Sequence, residues 1–338
     1  AEQERNAHWR ANCTYGLAIN YDVSGELNKA LELLDSAETM FRANGDLEYV
    51  GNVLNARGTA YYYQGITDKA MVHFMRALEF AEDKKLLRCE SQALNNIAIV
   101  HRKSGEHREA LAIYRRSIAV KQRLADKRGM ANTLSNMGVA YDRLERPDSA
   151  LASFEQAIAI YRELKDDYEV GATQIAMAEV HVNRAEHSEA ATMLEEAITT
   201  LKASPEDQFN YAQAHLLMGR ALTGLGRASE ALDHLAITEE LIANSDRAEM
   251  RVELYRAKAE ALHASGAHSE AFDALKHSHA LQDSIQSEES KRSLEELRTR
   301  FDTQEKEKRI EVQGLELERQ KQERRTFLAI MAVLAVLV

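Results

Sequence analysis

Histidines and carboxylates are the residues of this chain whose types could support metal or acid–base chemistry, since the sequence holds 12 His, 54 Asp and Glu and 2 Cys. A metal site requires ligands that converge on one ion. On a helix His277 and His279 would point about 200° apart, and the turn HASGAH at 263–268 has no Cys or carboxylate beside it. We interpret His101 and His181 as packing residues. The abundant carboxylates are typical of a solvated helical surface, so we predict no metal, no cofactor and no catalytic residue.

Seven alanines recur about every 40 residues and define a repeat: Ala30, Ala70, Ala110, Ala150, Ala190, Ala231 and Ala271. Each has Gly or Ala twelve residues before it and a large apolar side chain four residues after it, as Gly138 and Phe154 flank Ala150. Small residues let two helix backbones approach closely, and the bulky residue fills the space beside that contact. A fixed period of about 20 to 50 residues is typical of a solenoid. The sequence therefore predicts an all-α stack of helix pairs.

Each repeat divides into two helices joined by a short turn. In the fourth repeat we predict helices over 131–144 and 149–165, with Pro147 in the turn between them. Five glycines share an equivalent turn position, where a left-handed backbone costs glycine little: Gly25, Gly65, Gly105, Gly226 and Gly266. Three histidines share another predicted turn position: His107, His187 and His268. Cys13 and Cys89 are too few for a disulfide framework, and we interpret both as small buried side chains.

This order of small and bulky residues resembles the tetratricopeptide repeat over about residues 4–285. One unit of the pattern reads Gly58, Tyr61, Gly65, Ala70, Phe74 and Ala77. The period is longer than the common one of about 34 residues and is similar to a longer-helix subclass of the family. The resemblance implies a right-handed superhelical solenoid whose first helices line a concave, non-catalytic groove for peptides or proteins. It divides the chain into seven repeats: 4–44, 45–85, 86–125, 126–165, 166–205, 206–246 and 247–285.

The groove implied by this resemblance is rich in asparagine in repeats two to four. An amide side chain both donates and accepts hydrogen bonds, so a ladder of Asn can pair with an extended peptide backbone whatever its sequence. Asn96 and Asn136 match the backbone-binding Asn of peptide-binding relatives. Arg102, Lys103 and Arg143 would offer a positive spot for a ligand carboxylate. The predicted peptide-binding residues are Asn52, Asn55, Tyr62, Asn95, Asn96, Arg102, Lys103, Asn132, Asn136 and Arg143. In the alternative interpretation, these asparagines only cap and pad helix–helix contacts.

The last part of the chain has a different character. Residues 286–326 hold 11 Asp and Glu and 11 Lys and Arg, which predicts a long solvated helix, either alone or paired in a coiled-coil homodimer. Because this segment is neutral, the net charge of −11 lies in the repeats and argues against a nucleic-acid ligand. The apolar stretch 327–338 is shorter than the roughly 20 residues that a bilayer requires. We interpret it as a truncated transmembrane helix that attaches the chain to a membrane.

A charged helix followed by an apolar one is similar to the junction found in bacterial membrane signalling proteins, most of all tetratricopeptide-containing sensor histidine kinases. This second resemblance implies a sensory and scaffolding module of the inner membrane. Its repeats would be periplasmic, and its output domain, a histidine kinase of a two-component system, would lie beyond this chain. A diguanylate cyclase or a DNA-binding regulator is an alternative output. The six Lys and Arg of 307–326 instead favour repeats on the cytoplasmic side of the membrane. The alternative with this orientation is a tail-anchored cytoplasmic scaffold for protein complexes.

Overall fold

The computed structural model describes residues 2–23, 26–202, 208–243, 245 and 247–287, and the regular elements within these ranges are all α-helices. Thirteen of them have the bounds α1 Glu2–Val23, α2 Leu27–Asn44, α3 Leu47–Tyr63, α4 Thr67–Lys84, α5 Leu87–Lys103, α6 His107–Arg123, α7 Lys127–Arg143, α8 Pro147–Glu163, α9 Asp167–Asn183, α10 His187–Leu201, α11 Gln208–Gly224, α12 Ala228–Ile242 and α13 Ala248–Ala264. A further helix, α14, covers residues 268–287.

The described helices fall into two compact units, one formed by α1 to α12 and the other by α13 and α14. In the first unit each helix packs on the next helix in the chain. The first helices of successive pairs also approach one another, as α3 approaches α5 and α9 approaches α11, whereas the described second helices make no comparable contacts among themselves. The first helices therefore form the inner layer of this unit. The predicted solenoid of helix pairs is confirmed.

The close approach of the two helices in a pair depends on the small residues of the repeat. All seven periodic alanines are buried. A Cβ atom added at Gly58 would lie 2.4 Å from the ring of Phe74, and one added at Gly138 would lie 2.5 Å from the ring of Phe154. Since optimal contacts between carbon atoms are about 3.5–4.0 Å, the aromatic ring fills the space that the missing side chain leaves. The small and large residues of the period are therefore one packing unit.

Left-handed residues end most of the helices, and from 45 to 185 they recur every 20 positions. Glycine fills five of the described sites, with φ from 75° to 85°: Gly45, Gly65, Gly105, Gly226 and Gly266. Other residues fill five more, with φ from 53° to 59°: Lys85, Ala125, Glu145, Lys165 and Ala185. At each such turn the following N–H closes a loop onto the helix, as Glu106 N–H donates to the carbonyl of His101 at 2.9 Å. Gly25, the fifth glycine predicted for a turn, lies outside the described residues.

Three details of the local predictions are wrong. Pro147 is the first residue of α8 rather than part of a turn, which suits proline because the first N–H of a helix has no partner within it. His107 and His187 likewise begin α6 and α10. Cys13 is exposed on α1, whereas Cys89 is buried as predicted. Repeat spacing indicates which face of a helix carries small residues, but it does not indicate whether another helix covers that face.

The second unit is held together by contacts between α13 and α14. The Ser278 hydroxyl donates to the carbonyl of Val252 at 3.0 Å, and the rings of Tyr255 and His277 lie edge to face with centroids 4.3 Å apart. No helix within the described residues is long and apolar enough to cross a bilayer. The predicted charged helix of 286–326, apart from its first two residues, and the predicted transmembrane stretch 327–338 lie outside the described residues.

Candidate functional site

A polar cleft of about 490 Å³ opens on the inner layer of the first four helix pairs. Its walls come from the first helices α1, α3, α5 and α7, together with Lys121 from α6 and Asp126, the residue before α7. The lining residues are Tyr15, Ile19, Asn52, Asn55, Ala56, Thr59, Ser91, Gln92, Asn95, Asn96, Lys121, Asp126, Gly129 and Asn132. The structure thus brings five of the ten predicted site residues together: Asn52, Asn55, Asn95, Asn96 and Asn132.

Asn55 is the most unusual of these side chains, because it is 5 % exposed and its Oδ1 atom has no hydrogen-bond partner. Its Nδ2 atom donates to the carbonyl of Gly51 over a long 3.4 Å. Leaving a buried acceptor unpaired costs about 1–3 kcal/mol. The equivalent positions of the fifth and sixth repeats hold the buried apolar residues Ile175 and Leu216. An apolar side chain therefore fits this position of the repeat, and the packing of α3 does not require an amide there.

The other four asparagines of the cleft also keep hydrogen-bonding groups free. Asn95 and Asn96 make no side-chain hydrogen bond within the described residues. Asn132 Oδ1 accepts from the Tyr161 hydroxyl at 2.7 Å, which leaves its NH₂ group without a partner among those residues. Asn52 Oδ1 lies 3.6 Å from Cys89 Sγ. Burial, with a smaller effect of the Glu48 carboxylate, raises the pKa of the Cys89 thiol to about 11, so the thiol stays protonated. Its one proton has a closer acceptor in the Glu48 carbonyl, 3.2 Å from Sγ, so Asn52 Oδ1 is not committed to Cys89.

Lys121 supplies the positive charge of the cleft, although it is only 5 % exposed. Its Nζ atom donates to Thr133 Oγ1 at 2.6 Å, and that hydroxyl donates in turn to the carbonyl of Gly129 at 2.9 Å. Asp126 Oδ1 accepts from the Gly129 N–H at 2.9 Å and caps the N-terminus of α7. Burial lowers the pKa of Lys121, and the nearby Asp126 carboxylate opposes this effect.

The remaining five predicted residues are not among those that line the cleft: Tyr62, Arg102, Lys103, Asn136 and Arg143. Arg102 and Lys103 are in the last turn of α5, and Arg143 is the last residue of α7. The ammonium of Lys103 lies 4.9 Å from the centroid of the Tyr62 ring, a cation–π contact. The positive spot predicted from the three basic residues is therefore separate from the cleft, whose cation is Lys121.

The histidines form local pairs that the sequence did not reveal. Nδ1 of His101 lies 2.6 Å from Glu106 Oε2, and the equivalent pair of His181 and Glu186 repeats this distance. Nδ1 of buried His215 lies 2.8 Å from Nδ1 of His234, and burial, followed by the His234 charge, lowers the pKa of His215 to about 4. Across the described ranges, no three His, Cys, Asp or Glu side chains are placed to hold a metal ion.

Two kinds of cleft residue were missed, and each had a signal in the repeat register. Tyr15 and Ile19 of α1 lie one period before Asn55 and Thr59, so extending the groove positions back by one repeat would have found them. Lys121 lies in a column of equivalent repeat positions that are buried throughout the first unit, and it is the charged member of that column. The equivalent residues of the other five repeats in the first unit are Phe41, Ala81, Tyr161, Leu201 and Ile242. A lysine in such a column is the signal, although the groove implied by the resemblance is lined by first helices only.

A comparison with protein families agrees with this geometry. Residues 90–163, which cover most of α5 and all of α6 to α8, match the family model of the tetratricopeptide repeat. No curated protein matches the sequence.

Solved structures with tetratricopeptide-like folds are similar to the chain over most of its length. The apo form of RapI is 16 % identical over 82 % of this chain and 99 % of that chain, with a TM-score of 0.65. The apo form of the quorum sensor NprR from B. thuringiensis is 22 % identical over 81 % and 76 %, with a TM-score of 0.61. A Rap protein complexed with Competence and Sporulation Factor is 17 % identical over 81 % and 75 %, with a TM-score of 0.58. At these identities the likeness is one of fold.

Proposed function

We propose that this chain is a non-catalytic sensory and scaffolding module whose cleft binds an extended peptide segment, free or within a partner protein. The observation that carries the proposal is the buried, unpartnered Oδ1 atom of Asn55 in a cleft lined by further asparagines. A peptide N–H donated to that oxygen would remove the cost of an unpaired buried acceptor. The ligand thus supplies the hydrogen-bond donor that Asn55 Oδ1 lacks in the folded protein.

The cleft suits a peptide backbone better than a particular side chain. A backbone presents alternating N–H donors and C=O acceptors, and the amides of Asn95, Asn96 and Asn132 supply both kinds of partner from two neighbouring first helices. Each such hydrogen bond contributes about 0.5–1.5 kcal/mol net. The fold is shared with a quorum sensor and with a Rap protein in complex with a factor, which supports a recognition role for this inner layer.

The membrane context is a finer part of the same proposal. Supporting it is the order of the sequence, in which the charged segment 286–326 precedes the apolar stretch 327–338. The repeats would lie in the periplasm, and ligand binding would act through the charged helix on a histidine kinase beyond this chain. The encoded residues after 338 test this arrangement: a stop there indicates a tail-anchored scaffold, and a cyclase or DNA-binding domain indicates a different output. A topology reporter fused before residue 286 tests the side of the membrane.

Peptide binding is tested by panning a random nonapeptide library on the full chain in detergent and measuring the affinity of enriched peptides by fluorescence anisotropy. Asn55→Leu should weaken binding by about 10-fold or more, because it removes the acceptor that the peptide satisfies. The same variant should be as thermally stable as the wild type or more so, since leucine occupies the equivalent position at Leu216. Asn96→Ala should also weaken binding.

The matched control is Gln156→Ala, which removes an exposed amide from the second helix α8 and should leave the affinity unchanged. Failure to enrich any peptide would contradict the proposal. So would an Asn55→Leu variant that binds the selected peptides as tightly as the wild type does.

A further inference from the structure

We infer that the cleft selects a peptide that carries a carboxylate, which Lys121 binds through its ammonium group. This inference rests on the proposed peptide binding and adds the chemical class of the ligand. Lys121 reaches the cleft from the second helix α6 and lines it together with Ser91 and Gln92 of α5 and Asn132 of α7. The recognition point is therefore at the base of the cleft, away from the predicted basic residues at the helix ends.

The position of Lys121 makes a purely structural role costly. Its equivalents in the other five repeats of the first unit are buried side chains without charge: Phe41, Ala81, Tyr161, Leu201 and Ile242. The scaffold thus accepts several uncharged side chains at this point, of different sizes. Burying an ammonium group carries a desolvation penalty that an uncharged side chain avoids. A ligand anion would offset this penalty.

The hydrogen bonds of Lys121 leave room for such an anion. An ammonium group has three N–H donors, and Thr133 accepts one of them. No Asp or Glu oxygen within the described residues lies within 4.0 Å of Nζ. The nearest acidic influence is Asp126, whose Oδ1 already accepts the Gly129 N–H at the start of α7.

Charge matching favours a carboxylate over a phosphate. Lys121 is the single cation and Asp126 the single anion among the residues that line the cleft. A carboxylate adds one negative charge and pairs with one ammonium. A phosphate monoester carries about −1.5 to −2 charges and would leave uncompensated negative charge beside the Asp126 carboxylate. Burial lowers the pKa of Lys121, and a bound carboxylate would favour its charged form. The source of the carboxylate is an Asp or Glu side chain or the C-terminus of the peptide.

The test uses two random nonapeptide pools on the full chain, one with free C-termini and one with amidated C-termini. Enrichment of Asp or Glu at one position in both pools indicates a side-chain carboxylate, and enrichment only in the free-acid pool indicates the C-terminus. Replacing that carboxylate by its amide in a selected peptide should weaken wild-type binding by about 30-fold, which corresponds to breaking a buried charge pair.

Lys121→Met should remove this preference, so that the acid and amide forms of the peptide bind the variant equally, while Lys121→Arg should retain a preference for the acid. Methionine suits a column of buried uncharged residues, and circular dichroism checks that the variant folds. The peptide comparison on the wild type remains decisive if it does not. Peptides enriched without any acidic preference, or a preference that persists in Lys121→Met, would overturn the inference but leave the proposed peptide binding intact. Enrichment of no peptide in either pool would instead overturn both.

Discussion

Gly138→Ala is the substitution for which the structure gives the clearest energetic prediction. Alanine in place of a helical glycine gains about 0.5–1 kcal/mol from the unfolded chain. Against this, the new Cβ would lie 2.5–2.7 Å from three ring atoms of Phe154, about 1 Å inside the optimal contact distance. The Phe154 side chain is 1 % exposed and has no open space to enter. Overpacking a core of this kind costs about 1–3 kcal/mol, so we expect a net loss of about 1 kcal/mol.

Gly16→Ala is the matched control, because a Cβ at this exposed helical position would meet nothing within 4 Å. It should stabilise α1 by about 0.5–1 kcal/mol. Urea unfolding followed by circular dichroism measures both variants. Amide exchange in α7 and α8 locates the effect of Gly138→Ala, since neighbouring repeats unfold as local units. If Gly138→Ala stabilises the protein as much as Gly16→Ala does, the packing argument for the small residues of the repeat is refuted.

Two further predictions concern titratable groups. Burial, followed by the His234 charge, holds the pKa of His215 at about 4, below 6.5, so the unfolded state binds more protons between these values. Wild-type stability should therefore fall by up to about 3 kcal/mol as the pH drops through this window. Burial also lowers the pKa of His234, so His215→Gln should reduce that slope in urea titrations at pH 4 to 7 without abolishing it. A slope as steep in the variant as in the wild type contradicts this assignment. Exposed Cys13 should react readily with Ellman's reagent, while buried Cys89, whose pKa is raised to about 11, should react only after denaturation. Equal reactivity of both thiols in the native state contradicts the burial of Cys89.

The fold was largely predictable because its packing unit is local. The spacing of Gly138, Ala150 and Phe154 is set by the contact of two adjacent helices, so it recurs in each repeat and is visible in one sequence. The helix ends were less predictable. Glu145 and Lys165 adopt the same left-handed turn as Gly65 and Gly105, but their side chains do not indicate it. Here the backbone follows from the packing of the flanking helices rather than from the residue type.

The candidate site was predictable only where its residues follow the repeat. Asn55 and Asn95 hold equivalent positions on α3 and α5, and both line the cleft. The sequence shows that Lys121 is an unusual residue for its repeat position, but placing its side chain in the cleft requires coordinates, because it reaches the cleft from a second helix. The pairing of His215 with His234 likewise does not follow the repeat, because the second repeat carries His73 at the position of His234 but Leu54 at the position of His215. Contacts that do not recur from repeat to repeat can be identified only from the three-dimensional structure.

An N-methyl scan of a peptide selected on the full chain tests most directly the claim that the cleft binds peptide backbone. Each N-methyl group removes one backbone donor and leaves the side chain unchanged. For an extended peptide, whose successive residues point to opposite sides, methylation at alternate positions should weaken binding by about 10-fold. One of these losses should disappear in Asn55→Leu, which no longer has the accepting oxygen. Methylated peptides that all bind as tightly as the parent, while alanine substitution of their side chains abolishes binding, would contradict the account.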